Sequence, residues 1–255
     1  MLRYSNPAAP TAQRSDLRYA LASFVRRALK LVHIVGRPAL CHAALRYRVV
    51  AGVEHLPLLK RLTPRTLIDI GGNKGQFALA ALRASPGLRI EAFEPLAEAA
   101  DIYEAACPSA AMHRVALAES PGARDFFVTD RADSSSLLKP GANQAALFNV
   151  RHASTRSVEV RRLDQCLDLS TLPHPVFMKV DVQGGEMAVV DGCADLDAVD
   201  YLYIELSDVE LYDRQPLREQ VTARLRERGF AAAGEFNVSR DARGRVVQAD
   251  YLFTR

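Results

Sequence analysis

Hydrophobic residues in this chain gather into short, nearly unbroken runs separated by longer mixed segments. Runs rich in apolar and β-branched residues near 66–70, 89–94, 111–116, 176–181 and 200–205 predict strands buried on both faces. The segments near 76–84, 96–106, 184–191 and 216–228 predict helices. Repeated strand, helix, strand units imply a parallel sheet covered on both sides. After the last helix, "FAAAGEFNV" and "VVQADYLFT" flank the turn-forming "SRDARGR" and predict an antiparallel pair closing the sheet edge. Between residues 120 and 165 the alternation fails. There "RDFFVTD" and "RSVEVRRL" read as short strands around the polar loop "RADSSSLLKPGANQ", an expected insertion.

The chain opens on a different pattern. In "YALASFVRRALKLVHIVG", Leu21, Phe24, Val25, Ala28, Val32 and Val35 follow helical spacing, while Arg26, Arg27, Lys30 and Arg37 lie largely elsewhere. This predicts a helix with a solvated basic rim, and the interrupting charges argue against a membrane span or a signal peptide. Charge sharpens the division: residues 1–65 hold 12 Lys plus Arg against 2 acids, net +10, and the remainder holds 21 against 28, net −7. We therefore divide the chain into a basic helical extension, 1–62, and a main domain, 63–255, with its insertion at about 120–165. At 255 residues and 49% hydrophobic, the chain can bury the core of one large α/β domain. Cys41, Cys107, Cys166 and Cys193 are far apart and form no CxxC or Cys/His pattern, so a disulfide framework and a zinc site are not expected, and a reducing cytoplasm is the simple reading.

Open parallel sheets bind ligands outside the carboxyl ends of their strands. Four predicted strand ends each carry an acid: Asp69, Glu94, Asp181 and Glu205. After Asp69 comes a turn, Gly71-Gly72-Asn73-Lys74-Gly75, whose glycines permit a tight bend and close backbone approach. A dinucleotide fingerprint needs GxGxxG, and here Asn73 stands in place of the second glycine. An acid just before the turn repels phosphate and suits a ligand with a cationic amino group. Glu94, about 20 residues beyond the turn, suits a ribose diol. A cationic amino acid joined to an adenosine is S-adenosylmethionine.

The same residues carry a family resemblance. "DIGGNKG" resembles the DxGxNxG form of the first motif of class I methyltransferases, "FEP" their second, and "KVDVQGGE" the fourth-strand motif of the FkbM-type methyltransferases. "DSSSL", "RRLD" and Glu205 in "YLYIELSD" fall in the order that family shows, over about residues 63–255. Gly72 stands where alanine is usual, and Gly185 precedes Glu186 where a larger residue is common. The resemblance implies a Rossmann-like, doubly wound, mostly parallel seven-stranded sheet with an antiparallel C-terminal strand, here with an N-terminal helical extension. It implies S-adenosylmethionine as cofactor and O-methylation of a hydroxyl on a sugar, in a polysaccharide, glycolipid or glycosylated metabolite, or on a polyketide. It places Asp69, Gly71, Gly72, Asn73 and Gly75 around the methionine part of the cofactor, Glu94 on the ribose, and Ala116 and Leu117 beside the adenine.

A sugar hydroxyl is a weak nucleophile, so a general base is expected beside in-line displacement. Asp181 is the first candidate, with Lys179 on the same strand face and Glu205 as the third catalytic candidate. The competing structural reading makes Asp181 the cap of the helix starting near Gly184. Lys179 inside an apolar strand must pair with a carboxylate. Ser135 and Ser136, in the Ser134–Ser136 run, are the acceptor-binding candidates. His113 and His152 read as surface or structural histidines. No metal is expected, although carboxylates at strand ends that hold Mg²⁺ are a competing arrangement, which an unchanged turnover in chelator would eliminate. A nucleotide-binding oxidoreductase is disfavoured by the missing glycine and the absent TyrxxxLys pair; an inactive cofactor-binding module is the other alternative.

The N-terminal charge favours an anionic or lipid-linked small-molecule or glycan acceptor and a cytoplasmic protein with peripheral contact at the inner membrane face. Nucleic acid is not expected, because no aromatics interleave with the arginines. Deleting residues 1–50 is expected to weaken acceptor use more than cofactor binding. The oligomeric state is not legible.

Overall fold

The computed structural model describes residues 38–255. The amphipathic helix expected over 19–36 lies outside them. The described chain opens with α1 (Pro38–Arg46) and α2 (Leu56–Leu62), then alternates β1 (Thr66–Ile70), α3 (Gln76–Ala84), β2 (Arg89–Phe93), α4 (Ala97–Ala106) and β3 (Ala111–His113). A smaller unit follows, built from β4 (Ala116–Leu117), β5 (Gly122–Thr129), α5 (Ala142–Phe148) and β6 (His152–Arg161). After α6 (Leu163–Cys166), the main sheet resumes with β7 (Val176–Val180), α7 (Glu186–Asp191), β8 (Tyr201–Ser207), α8 (Arg218–Glu227), β9 (Ala231–Arg240) and β10 (Val246–Thr254).

Seven strands pair in the order β3-β2-β1-β7-β8-β10-β9, with β10 antiparallel to both neighbours and the others parallel. The sheet is therefore doubly wound, and the strand order reverses between β1 and β7. β1 and β7 are buried at every position, which is why their sequences are continuous apolar runs rather than alternating ones. On one face, Leu67, Phe177, Tyr203 and Leu252 pack against Phe77 and Ala81 of α3 and Tyr103 of α4. On the other, Ile68, Met178, Leu202 and Ile204 pack against Val189 of α7 and Val221 and Leu225 of α8. Helices from the first half lie on one face and those from the second half on the other, as right-handed crossovers require.

The strand expected over 111–116 divides: β3 joins the main sheet, whereas β4 leaves it to pair with β6 in a second sheet of order β4-β6-β5. The two strands expected in the insertion pair with each other antiparallel, Gly122 opposite Val160 and Thr129 opposite His152. Ala43, Val49, Leu56, Leu58 and Leu59 join the same apolar cluster as β1 and α3. A deletion ending at residue 50 therefore removes two core residues, Ala43 and Val49. No helix among the described residues is long and apolar enough to cross a membrane.

Candidate active site

Alternation along the strands sends Asp69, Lys179, Glu205 and Asp250 to the face shared with Leu67, Phe177, Tyr203 and Leu252. Register then sets them side by side. Asp69 lies opposite Lys179, Lys179 opposite Tyr203, and Glu205 opposite Asp250. Beyond these strand ends opens a cavity of about 830 Å³, the size of a typical small-molecule site, at the point where strand order reverses.

One end of the cavity is walled by the glycine turn and the end of β2. Glu94 is buried, and its oxygens accept from the backbone N–H of Asn73 at 3.0 Å and of Leu96 at 2.9 Å. Burial pushes its carboxyl up to about 7, against the lowering effect of those two bonds. A carboxylate has about four lone-pair sites, so acceptor capacity remains toward the cavity. Asn73 lines the same wall in a left-handed conformation, φ 47°, and its buried Oδ1 has no donor. Phe93, Leu96, Val115, Ala116 and Leu117 complete an apolar wall. This end suits a ligand that presents hydroxyl or ammonium donors at one point and a flat apolar ring at another.

The other end is lined by Lys179, Asp181, Gln183, Glu205, Tyr203 and Asp250. Lys179 donates to the Gly71 carbonyl at 2.9 Å and lies 3.4 Å from Asp181 Oδ2 and 3.6 Å from Asp69 Oδ1. Burial alone would lower its pKa, but Asp181 and Asp69 outweigh burial and raise it. Gln183, held at φ 59°, donates to both Asp181 Oδ1 at 2.7 Å and Glu205 Oε2 at 2.8 Å. Burial, with the charges of Asp181 and Asp250 opposite, drives the Glu205 carboxyl well above its ordinary range. Asp250 rises to about 6, mainly through burial.

Comparison with known proteins meets this geometry. The methyltransferase FkbM domain model matches residues 69–232. The chain belongs to the FkbM methyltransferase family. It is 32% identical over 173 residues to the 2-O-methyltransferase NoeI of Sinorhizobium fredii, covering 63% of this chain and 71% of that protein. It is 27% identical over 191 residues to Methyltransferase 1 of Beauveria bassiana, covering 66% and 73%. Among solved structures, the O-methyltransferase from Bacillus cereus in complex with SAH superposes with a TM-score of 0.51 at 11% identity, covering 91% of this chain and 97% of that one, and so shares the fold.

Placed in this FkbM methyltransferase, the predicted residues separate into two groups. Gly71, Gly72, Asn73, Glu94, Ala116, Leu117, Ser135, Lys179, Asp181 and Glu205 line the cavity. Asp69, Gly75 and Ser136 do not. Asp69 is fully buried and accepts from the Tyr103 hydroxyl at 2.9 Å, so the cation it faces is Lys179 rather than a ligand's amino group. Gly75 packs on Tyr103 and Cys107 at the start of α3, and Ser136 donates to the Val182 carbonyl at 3.4 Å. The glycines serve packing as well as ligand access. A Cβ on Gly71 would sit 1.9 Å from the Asp181 carbonyl oxygen, and one on Gly72 would sit 2.6 Å from the Tyr103 ring.

Gly71→Ala, which also forces φ +70° on a side-chain residue, is expected to cost about 2–3 kcal/mol. Urea unfolding checks this, and a loss below about 1 kcal/mol would contradict the packing.

Asp181 does not cap α7. Glu186 closes that turn, accepting from Val182 N at 3.2 Å and Gly184 N at 3.0 Å, and burial raises its carboxyl to about 7. His113 stacks on Phe93 at 4.5 Å and bonds Glu91, while His152 bonds Thr155. Tyr203, Gln183, Asp250, Asn237 and His55 also line the cavity, and the sequence reading did not single them out. Tyr203 was within reach of that reading: in "YLYIELSD" it stands two residues before Glu205, hence on the same strand face.

Proposed function

We propose that this FkbM methyltransferase transfers the methyl group of S-adenosylmethionine to a hydroxyl of a sugar. The observation that carries the reading is a single cavity holding, at one end, the Glu94 carboxylate and the Gly71–Asn73 turn and, at the other, Asp181 beside Lys179. The cofactor's donors match the acceptors this wall leaves open: Glu94 lone pairs for the ribose hydroxyls, and the donorless Asn73 Oδ1 for a further hydroxyl or ammonium hydrogen. The adenine fits the apolar wall of Phe93, Leu96, Ala116 and Leu117. The relationship to a 2-O-methyltransferase supports oxygen as the atom methylated.

When bound, the cofactor supplies an electrophilic methyl with a neutral leaving group. The protein's part is chiefly geometric. Holding the acceptor oxygen in line can supply roughly 7–11 kcal/mol of the barrier. Lys179 fixes the Gly71 carbonyl and Asp181 together, so the methionine end of the cofactor and the acceptor-facing carboxylate share one anchor. Asp181 accepts the hydrogen bond of the incoming hydroxyl, and Ser135 lies on the loop that covers this end.

At the acceptor end the carboxyls of Asp181, Glu205 and Asp250 outnumber the ammonium of Lys179, which favours an uncharged sugar at the reacting position. The anionic or lipid-linked part of the acceptor is assigned to the basic N-terminal segment. Removing residues 1–37 should therefore raise KM for a lipid-linked or anionic glycan at least fivefold and leave S-adenosylmethionine affinity unchanged; equal loss of both would refute this role. The function itself is tested by calorimetry with S-adenosylmethionine and NAD⁺, followed by radiolabelled methyl transfer to a panel of methyl glycosides. Binding of the methyl donor alone, with label entering a glycoside, is expected. Binding of NAD⁺ instead would sink the reading.

A further inference from the structure

Two loops meet over the acceptor end of the cavity, residues 130–141 of the insertion and residues 208–216 after β8. The first lines the cavity with Ala132, Ser135 and Leu137, the second with Arg214 and Pro216. Their backbones are joined: Gly141 N donates to the Leu211 carbonyl and Asp213 N to the Lys139 carbonyl, each at 2.8 Å. At the centre of the junction Tyr212 is wholly buried. Gln215 Oε1 fixes its backbone, accepting from Leu211 N at 2.9 Å and Tyr212 N at 3.3 Å. Its ring lies against Gly184, where a Cβ would come within 3.2 Å of it, so the glycine lets the phenol reach the turn that follows β7.

The phenol oxygen has three partners. It accepts from Gln144 Nε2 on α5 at 2.7 Å, and its one proton lies between the Gln183 Oε1 at 2.8 Å and the Ser134 carbonyl at 2.9 Å. Burial, with Glu205 and Asp181 nearby, pushes the phenol well above its ordinary range, so it stays a donor. Counting hydrogens also fixes the Gln183 amide. Both hydrogens of Nε2 go to carboxyls, Asp181 Oδ1 at 2.7 Å and Glu205 Oε2 at 2.8 Å, and turning the amide over would set its oxygen against both. Oε1 therefore faces Tyr212. Gln144 and Ser134 alone would satisfy a buried tyrosine, one as donor and one as acceptor. The bond to Gln183 is additional, and Gln183 makes it from a strained backbone, φ 59°.

Resting on the reading of the protein as a sugar-hydroxyl methyltransferase, we infer that Tyr212 is a positioning residue of the transfer: through Gln183 it holds Asp181 toward the acceptor hydroxyl while it anchors the loop that covers that hydroxyl. One phenol proton reaches both the Ser134 carbonyl and the Gln183 amide, so seating the loop and orienting the carboxylate are a single event. Asp181 needs that hold. Its side chain is 35% exposed and its other oxygen lies 3.4 Å from the Lys179 ammonium. With the amide released, the ammonium draws the carboxylate back toward β7 and away from the acceptor. Tyr212 itself touches neither acceptor nor donor in this scheme.

Steady-state kinetics of full-chain variants on the best glycoside of the panel test the link, with urea unfolding to establish that each is folded. Tyr212→Phe is expected to lower kcat about 10–100-fold, the scale of a misplaced reacting group, and to leave both the glycoside KM and S-adenosylmethionine affinity within about threefold. Gln183→Leu breaks the same link from the other side, leaves Tyr212 with Gln144 and Ser134, and should lower kcat to a similar extent. Because the two act through one bond, the double variant should fall no more than about threefold below Gln183→Leu alone. A folded Tyr212→Phe or Gln183→Leu within threefold of wild-type kcat, a loss of donor affinity as large as the loss of kcat, or two losses that multiply in the double variant would overturn the assignment and leave the methyltransferase reading intact. If Tyr212→Phe does not fold, Gln183→Leu decides alone. A wild type that binds the donor but methylates no glycoside would overturn the acceptor reading, and the positioning role with it.

Discussion

Replacing Lys179 with methionine is expected to lower the unfolding free energy at pH 7.5 by about 3–5 kcal/mol, the cost of leaving a buried charge cluster without its partner. Lys179 is the one buried cation among the described residues, and Asp69, on the strand beside it, is wholly buried. Asp69 Oδ1 has no hydrogen-bond donor and relies on the ammonium 3.6 Å away. Burial already pushes the Asp69 carboxyl above its ordinary range, with Lys179 and the Tyr103 bond opposing. Without the lysine, Asp69 either stays charged without compensation or takes up a proton. Proton uptake is easier at low pH, so the loss should be smaller at pH 5 than at pH 7.5. Urea unfolding at both values tests the claim. Adding Asp69→Asn should recover at least half the loss, since the amide oxygen can still accept from Tyr103. A single-variant loss below about 1 kcal/mol, or strict additivity of the two changes, would show that the pair is not coupled.

The elements that hold this cluster were legible because they are local. The strand over 66–70 and the helix over 76–84 appear with those bounds, since a continuous β-branched run and a glycine turn mark both ends of the strand and the start of the helix. Four acids at strand tips were also legible, because a strand end is a local feature. What each acid faces was not. Asp69 and Lys179 are 110 positions apart and meet only through the β1–β7 register. The Glu205–Asp250 opposition depends on an antiparallel pairing, and Asn237 comes within reach of Asp250 on a β9–β10 pair broken by register shifts around Asp250. No pattern within a dozen residues specifies such shifts.

The second sheet was half legible for the same reason. Its strands show as apolar segments in a polar stretch, but β4 reads as a continuation of β3, because an apolar run does not say which sheet it joins. Within the polar loop, "ANQAALF" forms α5, too short to show a helical period. His55 gave no signal at all: a histidine in a basic N-terminal segment has no motif, and Tyr203, which it meets, lies 148 positions away.

The pH dependence of cofactor binding should report Glu94 directly. Its folded-state carboxyl lies near 7 against an ordinary 4.5, so the empty protein binds a proton there that the unfolded chain has already lost above pH 4.5. Stability of the empty protein should therefore fall as pH rises from about 4.5 to 7 and level off above. Glu186, also near 7, and Asp250, near 6, add to this trend with the same sign. The carboxylates held below their ordinary range, such as Asp164 paired with Arg162, lose their contribution only at more acid pH and leave this window clear.

In the proposed reading the ribose hydroxyls donate to the ionised form of Glu94, so S-adenosylmethionine would compete with the proton. Affinity should be about tenfold weaker at pH 6 than at pH 8 and flat above, and below pH 7 binding should release close to one proton. Calorimetry in buffers of different ionisation enthalpy measures that proton. Glu94→Gln removes both the charge and its titration, and should weaken binding about 10–100-fold at pH 8 while abolishing the slope between pH 6 and 8. If affinity in the wild type is independent of pH over that range, Glu94 is not the group that meets the ribose. If Glu94→Gln keeps the slope, the titrating group belongs to the Asp181–Glu205–Asp250 end of the cavity instead, and the ribose must be sought there.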